Sequence, residues 1–138
     1  MPQDLAGRLL LTLTAAVLFT LGVPLLFAGD VAAAWLGAPS AGGEALAQLA
    51  ASSLLGLGMI NWWWRGNPLG GIHGRPVGLG NLLCCLSAAA SLGRGTLTGA
   101  LPGGMWAVVL VMAGLALAFV WRMFLWRPGP RPGAVPGL

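Results

Sequence analysis

The amino-acid sequence predicts an all-α membrane protein: an antiparallel bundle of four transmembrane helices, with a short interfacial helix in the first (outer) loop. Three observations carry that prediction. The chain of 138 residues is 57% hydrophobic and only 7% charged, where a soluble domain carries about a quarter charged residues. Its apolar residues fall into four uncharged runs, at 9–29, 45–64, 76–93 and 95–121. Its basic residues, seven arginines and no lysine, flank those runs instead of gathering on one soluble face.

Each run is long enough to cross a bilayer. A hydrocarbon core of about 30 Å takes roughly 20 helical residues, with about 17–25 tolerated. The third run, at 18 residues, is near the lower limit. Backbone groups in lipid must bond within their own segment, so each run is expected to be a helix. None alternates apolar and polar residues as a barrel strand does. The expected spans are 9–29, 45–64, 77–93 and 103–126, within one domain, 1–127. The tail, 128–138, alternates proline, glycine and arginine; it has nothing to bury and is expected to be disordered.

The first run resembles a signal peptide only in part. Ala32, Ala33 and Ala34 look like a cleavage site. A signal core, however, is about 7–15 residues, shorter than this run, so an uncleaved first helix is expected. Arg8 precedes it. The outer loop that follows carries Asp30, Trp35 and Glu44. Asp30 is placed to cap a short helix, 31–36, lying on the outer surface.

Arginine gives the orientation. With a cytoplasmic N-terminus, the inner segments carry Arg8, Arg65, Arg75, Arg122, Arg127 and Arg131, and the outer segments carry Arg94 alone. Arginine concentrates on the cytoplasmic side, so both termini are expected there, in a bacterial inner membrane. Tryptophan agrees, because its ring prefers the headgroup level. Trp106 and Trp126 are twenty residues apart, which at 1.5 Å per residue is about 30 Å. Arg122 is expected to snorkel outward beside Trp126. Trp62, Trp63 and Trp64 stand where the second helix meets the cytoplasmic interface.

The densest stretch is the 61–81 connection, NWWWRGNPLGGIHGRPVGLGN. It has no GK[ST] ending, and its glycines do not form a dinucleotide fingerprint. Glycine N–H groups can form an anion-binding nest, and Arg65 and Arg75 add charge at the depth of lipid phosphates. Arg65, His73 and Arg75 are therefore candidate contacts for lipid or anion. Asn61 and Asn81, one closing the second helix and the other opening the third, are candidates for fixing the turn. Small residues at four-residue spacing mark expected packing stripes: Thr12, Ala16 and Thr20; Gln48, Ser52 and Gly56; Gly80, Cys84 and Ala88; Gly114 and Ala118.

Reactive chemistry is scarce. His73 is the only histidine, whereas a structural zinc site takes four ligands and a catalytic one three. Cys84 and Cys85 are adjacent and point about 100° apart on a helix. No ionisable residue falls in the middle of any span, which counts against proton-coupled transport. Neither a cofactor nor a metal is expected, and nucleic-acid binding is excluded by the placement of the charges.

From residue 27 to 93 the chain reads Trp35-Leu36-Gly37, Asn61-Trp62, Arg65-Gly66-Asn67, Gly70-Gly71-Ile72, Gly74-Arg75-Pro76 and Gly80-Asn81. This half of the chain resembles a group of uncharacterised small bacterial four-helix inner-membrane proteins, loosely DoxX-like. The resemblance implies an association with membrane redox and sulfur metabolism; it assigns no residue here a redox role. The expected function is a non-catalytic accessory or interaction subunit, packing against a partner membrane protein, a second copy of itself or anionic lipid. The alternatives are a DoxX-like redox-associated component or a small oligomeric permeation unit.

Overall fold

A computed structural model describes residues 4–69 and 72–126; the tail at 128–138 lies outside the described residues. The elements are α1 (Leu5–Phe27), α2 (Gly29–Trp35), α3 (Ala41–Trp64), α4 (Gly74–Leu97) and α5 (Met105–Val120). A five-residue π turn, Trp121–Leu125, continues α5. No strand occurs among the described residues. Four helices (α1, α3, α4, and α5 with its π turn) are long and apolar enough to cross a membrane. The chain is thus all-helical, consistent with a helical membrane protein.

α1, α3 and α4 each run past at least one end of the uncharged segments that predicted them, whereas α5 starts at Met105, inside the fourth run. An apolar run measures the length that suits oil, but a helix continues until its backbone is capped. The Asp4 carboxylate accepts the Gly7 N–H at 3.0 Å and starts α1, so Arg8 lies inside the helix. Ser40 does the same for α3, accepting from Gly43 at 3.1 Å. α4 runs through Arg94 and stops beside Gly99, whose φ of 73° suits a left-handed helix end. The short outer helix starts at Gly29 instead of Val31, and Asp30 does not cap it. The Ala28 N–H is still bonded to Pro24 of α1, so the chain re-enters a helix with no room for a capping residue. Asp30 instead sits in the first turn, where its charge complements the helix dipole.

α1 packs antiparallel on α3, and α4 on α5. Within each pair glycines set the spacing. A Cβ built on Gly22 of α1 would fall 2.9 Å from Leu55 of α3, and one on Gly58 would lie 3.4 Å from Leu18. Gly78 of α4 lies under Met123, and Gly93 faces Val109 of α5. Larger side chains join the two pairs. Leu18, Cys85, Met112 and Ala116 form one buried cluster. Leu11, Leu69 and Phe119 form another, nearer the arginine-bearing end.

The small-residue stripes expected to pack do not form the buried faces. Ala16, Thr20, Gln48, Ser52, Gly56, Gly80 and Gly114 are exposed, and Thr12, Cys84, Ala88 and Ala118 are half-buried. The buried faces lie beside them: Gly7, Leu11, Thr14, Ala15, Leu18 and Gly22 in α1, and Ala47, Ala51, Gly58 and Asn61 in α3. In helices this rich in glycine and alanine, more than one face permits close approach. The face that is buried is the one that also offers a bulky or amide partner across the contact. Thr12, Thr20, Ser52 and Ser53 need no partner helix, because each hydroxyl donates to the carbonyl four residues back.

Gly22→Leu should therefore destabilise the chain by about 1–3 kcal/mol through overpacking against Leu55. Gly56→Leu, over open space, should not. Unfolding of the two variants in detergent distinguishes them.

Candidate functional site

The N-terminal end of α1, the C-terminal end of α3, the start of α4 and the π turn after α5 meet at one end of the molecule. This end holds Arg8, Arg65, Arg75 and Arg122 against Asp4, a net +3 among the described residues. The other end holds Arg94 against Asp30 and Glu44, a net −1.

The polar interior of the arginine end is built from two pairs. Asn61, in the last turn of α3, and Asn81, in the second turn of α4, exchange amide hydrogen bonds. Each Nδ2 donates to the other's Oδ1 at 2.6 Å. Asn81 also donates to the Val77 carbonyl at 2.8 Å. Both side chains are 0% exposed. The sequence brought these two residues to similar depth, and the structure brings them into direct contact.

The second pair was not expected. Arg122, placed in the π turn, does not snorkel outward; it is only 9% exposed and its guanidinium donates to the Asp4 carboxylate. The π turn is the local reason. The Trp126 N–H bonds back to the Trp121 carbonyl, at an interval of five residues. Trp126 packs edge-on against Trp121 at 5.2 Å and lies 5.5 Å from the Arg122 guanidinium, covering it on the outer side. Asp4 thus has two tasks: it caps α1 and holds Arg122. Partial burial pushes its carboxyl up, but the Gly7 N–H, Arg122 and the Leu69 N–H together hold it below its ordinary value. Asp4 is therefore ionised at neutral pH and has no proton to donate there. Two buried donors, Arg122 Nε and Trp64 Nε1, have no hydrogen-bond acceptor among the described residues.

The outer surface of the same end carries a groove. Arg8, Trp62, Trp63, Arg65 and Gly66 line a cavity of about 420 Å³, open to one side. The Arg65 guanidinium stacks on the Trp62 ring, 3.6 Å from its centroid, and donates to the Trp62 carbonyl at 2.6 Å. It thereby caps the C-terminus of α3, where a cation is favoured. Trp63 is 80% exposed. Of the three candidate anion contacts, Arg65 lines this groove; His73 and Arg75 are exposed at the start of α4 and do not. Gly70 and Gly71, the centre of the proposed nest, lie outside the described residues.

Two participants were missed in the sequence. Among the described residues Asp4 is the only acid at the arginine end, and that isolation among cations is the signal for its pairing. Arg8 gave no such signal, because its meeting with Arg65 depends on how α1 packs on α3. Cys84 is half-buried, and Cys85 is buried against the core that contains Met112. Comparison with protein-family models, curated proteins and solved structures found no match to this chain.

Proposed function

We propose that this chain is a four-span bacterial inner-membrane protein with its arginine end in the cytoplasm, acting as a non-catalytic accessory subunit of a partner membrane protein. The observation that supports it most is the outward turn of the small-residue stripes. Gly56 of α3, Gly80 of α4 and Gly114 of α5 have nothing within 4 Å of where a Cβ would stand. In lipid, helices associate through close backbone approach, and these faces are left open by the chain's own packing. A shallow apolar groove of about 340 Å³ between α1 and α5, lined by Leu13, Ala16, Thr20, Ala107 and Val111, adds a second indentation on the lipid-facing surface. In the interior Asn61 pairs with Asn81 and Arg122 with Asp4.

The test is purification from native membranes in a mild detergent. The reading expects one stoichiometric membrane companion. Gly56→Leu should remove that companion while leaving the unfolding midpoint of the isolated chain unchanged. A wild-type chain that purifies repeatedly alone would refute the accessory role. Tag accessibility that places the 65–75 turn outside the cell would refute the orientation.

A further inference from the structure

We propose that the seam between α1 and α5 holds one acyl chain of a phospholipid from the leaflet opposite the arginine end, with an ammonium-bearing headgroup at its mouth. The inference rests on the reading of the chain as a membrane protein with its arginine end in the cytoplasm. Two apolar grooves, of about 340 and 220 Å³, lie along that seam. Leu13, Ala16 and Thr20 line the first, and Pro24 and Ala28 the second. Intervals of three and four residues put all five on one face of α1, so the two grooves form one furrow.

Its length selects the occupant. From Leu13 to Ala28 is about 22 Å at 1.5 Å per residue, whereas a spanning helix needs the whole core of about 30 Å. Toward the arginine end Leu11 and Phe119, both 0% exposed, close the seam, and Asp4 and Arg122 lock it beyond them. At the other end the furrow opens between Val31 and Trp35 of α2 and Met105 of α5. Trp35 is exposed, and tryptophan settles at headgroup depth. The furrow thus starts at the outer interface and stops short of the inner one, the course of a fatty chain anchored in one leaflet. Charge selects the headgroup. Asp30, beside Val31 at the mouth, is exposed, and among the described residues it makes no ion pair or side-chain hydrogen bond. The described charges of this end sum to −1. A primary ammonium fits such a mouth, and a second anion does not.

The experiment uses the full chain, recovered from carbonate-washed membranes so that failure of membrane integration is seen on its own. In neutral detergent it is titrated with phosphatidylethanolamine or phosphatidylglycerol of the same acyl chains, and native mass spectrometry counts lipids and chains. The wild type should keep one phosphatidylethanolamine. Ala16→Phe with Ala107→Phe, both at exposed positions, fills the furrow and should lower that retention about tenfold, since contact with the furrow walls is what holds a chain in oil. Thr20→Phe alone should act in the same direction, and Gly114→Phe, over open space, should change nothing. Asp30→Asn should lower the preference for phosphatidylethanolamine over phosphatidylglycerol about fivefold, at roughly 1 kcal/mol for one charge at a membrane surface. The proposal is overturned if the furrow-filling variants keep the lipid, if Gly114→Phe loses as much, or if Asp30→Asn leaves the preference unchanged. A second chain retained in place of the lipid, and lost on Ala16→Phe with Ala107→Phe, would overturn the lipid as the occupant. A chain washed out by carbonate would overturn the membrane reading beneath it.

Discussion

Arg122→Met should destabilise the protein by about 3–5 kcal/mol, the cost of leaving one member of a buried ion pair alone. The lower part of that range applies, because the Asp4 side chain keeps 17% of its exposure. The loss exceeds what one contact would suggest, since Asp4 also caps α1. Releasing it loosens the start of α1. Asp4→Asn keeps the cap but strands a buried guanidinium, and should cost a similar amount. The double variant Asp4→Asn with Arg122→Met should cost less than the two single changes combined, because neither charge is then left unpaired.

The same pair gives a pH dependence of defined sign. The folded state holds the Asp4 carboxyl below its ordinary value of 3.8. The unfolded chain therefore binds the proton more readily, and acid favours unfolding. The contribution is fully present above the unfolded pKa and is lost as pH falls through the lower, folded one. The denaturation midpoint should be flat with respect to Asp4 from neutral pH down to about 5 and fall below about 4. In Arg122→Met that acid limb should be shallower. Equal limbs in the two proteins would show that the pair does not couple folding to Asp4 protonation.

Asn61→Leu and Asn81→Leu should each cost about 1–3 kcal/mol, because each leaves a buried amide without its reciprocal partner. Hydrogen bonds between helices in lipid average about 0.6 kcal/mol and reach about 1.7. The larger figure is expected for the unpaired amide, since Asn61 and Asn81 are fully buried and each loses both a donor and an acceptor at once. Among the described residues Asn61 has no other hydrogen-bond partner, whereas Asn81 retains its bond to Val77. Asn81→Leu should therefore be the more damaging of the two. The double leucine variant should recover part of the loss, and a double-mutant cycle of unfolding in mixed micelles measures how much.

Much of this fold is legible in the sequence. Four long apolar helices follow from the scarcity of charge, because only a helix can satisfy its own backbone in oil. The meeting of Asn61 and Asn81 follows from their places on either side of one connection. Helix phase is harder to read. Thr12, Ala16 and Thr20 resemble a packing face as closely as Leu11, Ala15 and Leu18 do, since glycine and alanine leave two adjacent faces equally open. The burial of Arg122 depends on a π turn, which no local residue pattern announces, and on an acid near the opposite end of the chain. The groove that Arg8 lines with Trp62 and Arg65 likewise exists only after α1 has packed on α3.

The 118 positions that separate Asp4 from Arg122 impose an order on biogenesis. Chains are made from the N-terminus at about 5–20 residues per second, so α1, α3 and α4 are synthesised before the counter-ion for Asp4 exists. The latch that joins α1 to the π turn after α5 can therefore close only once Arg122 has been made, long after Asp4.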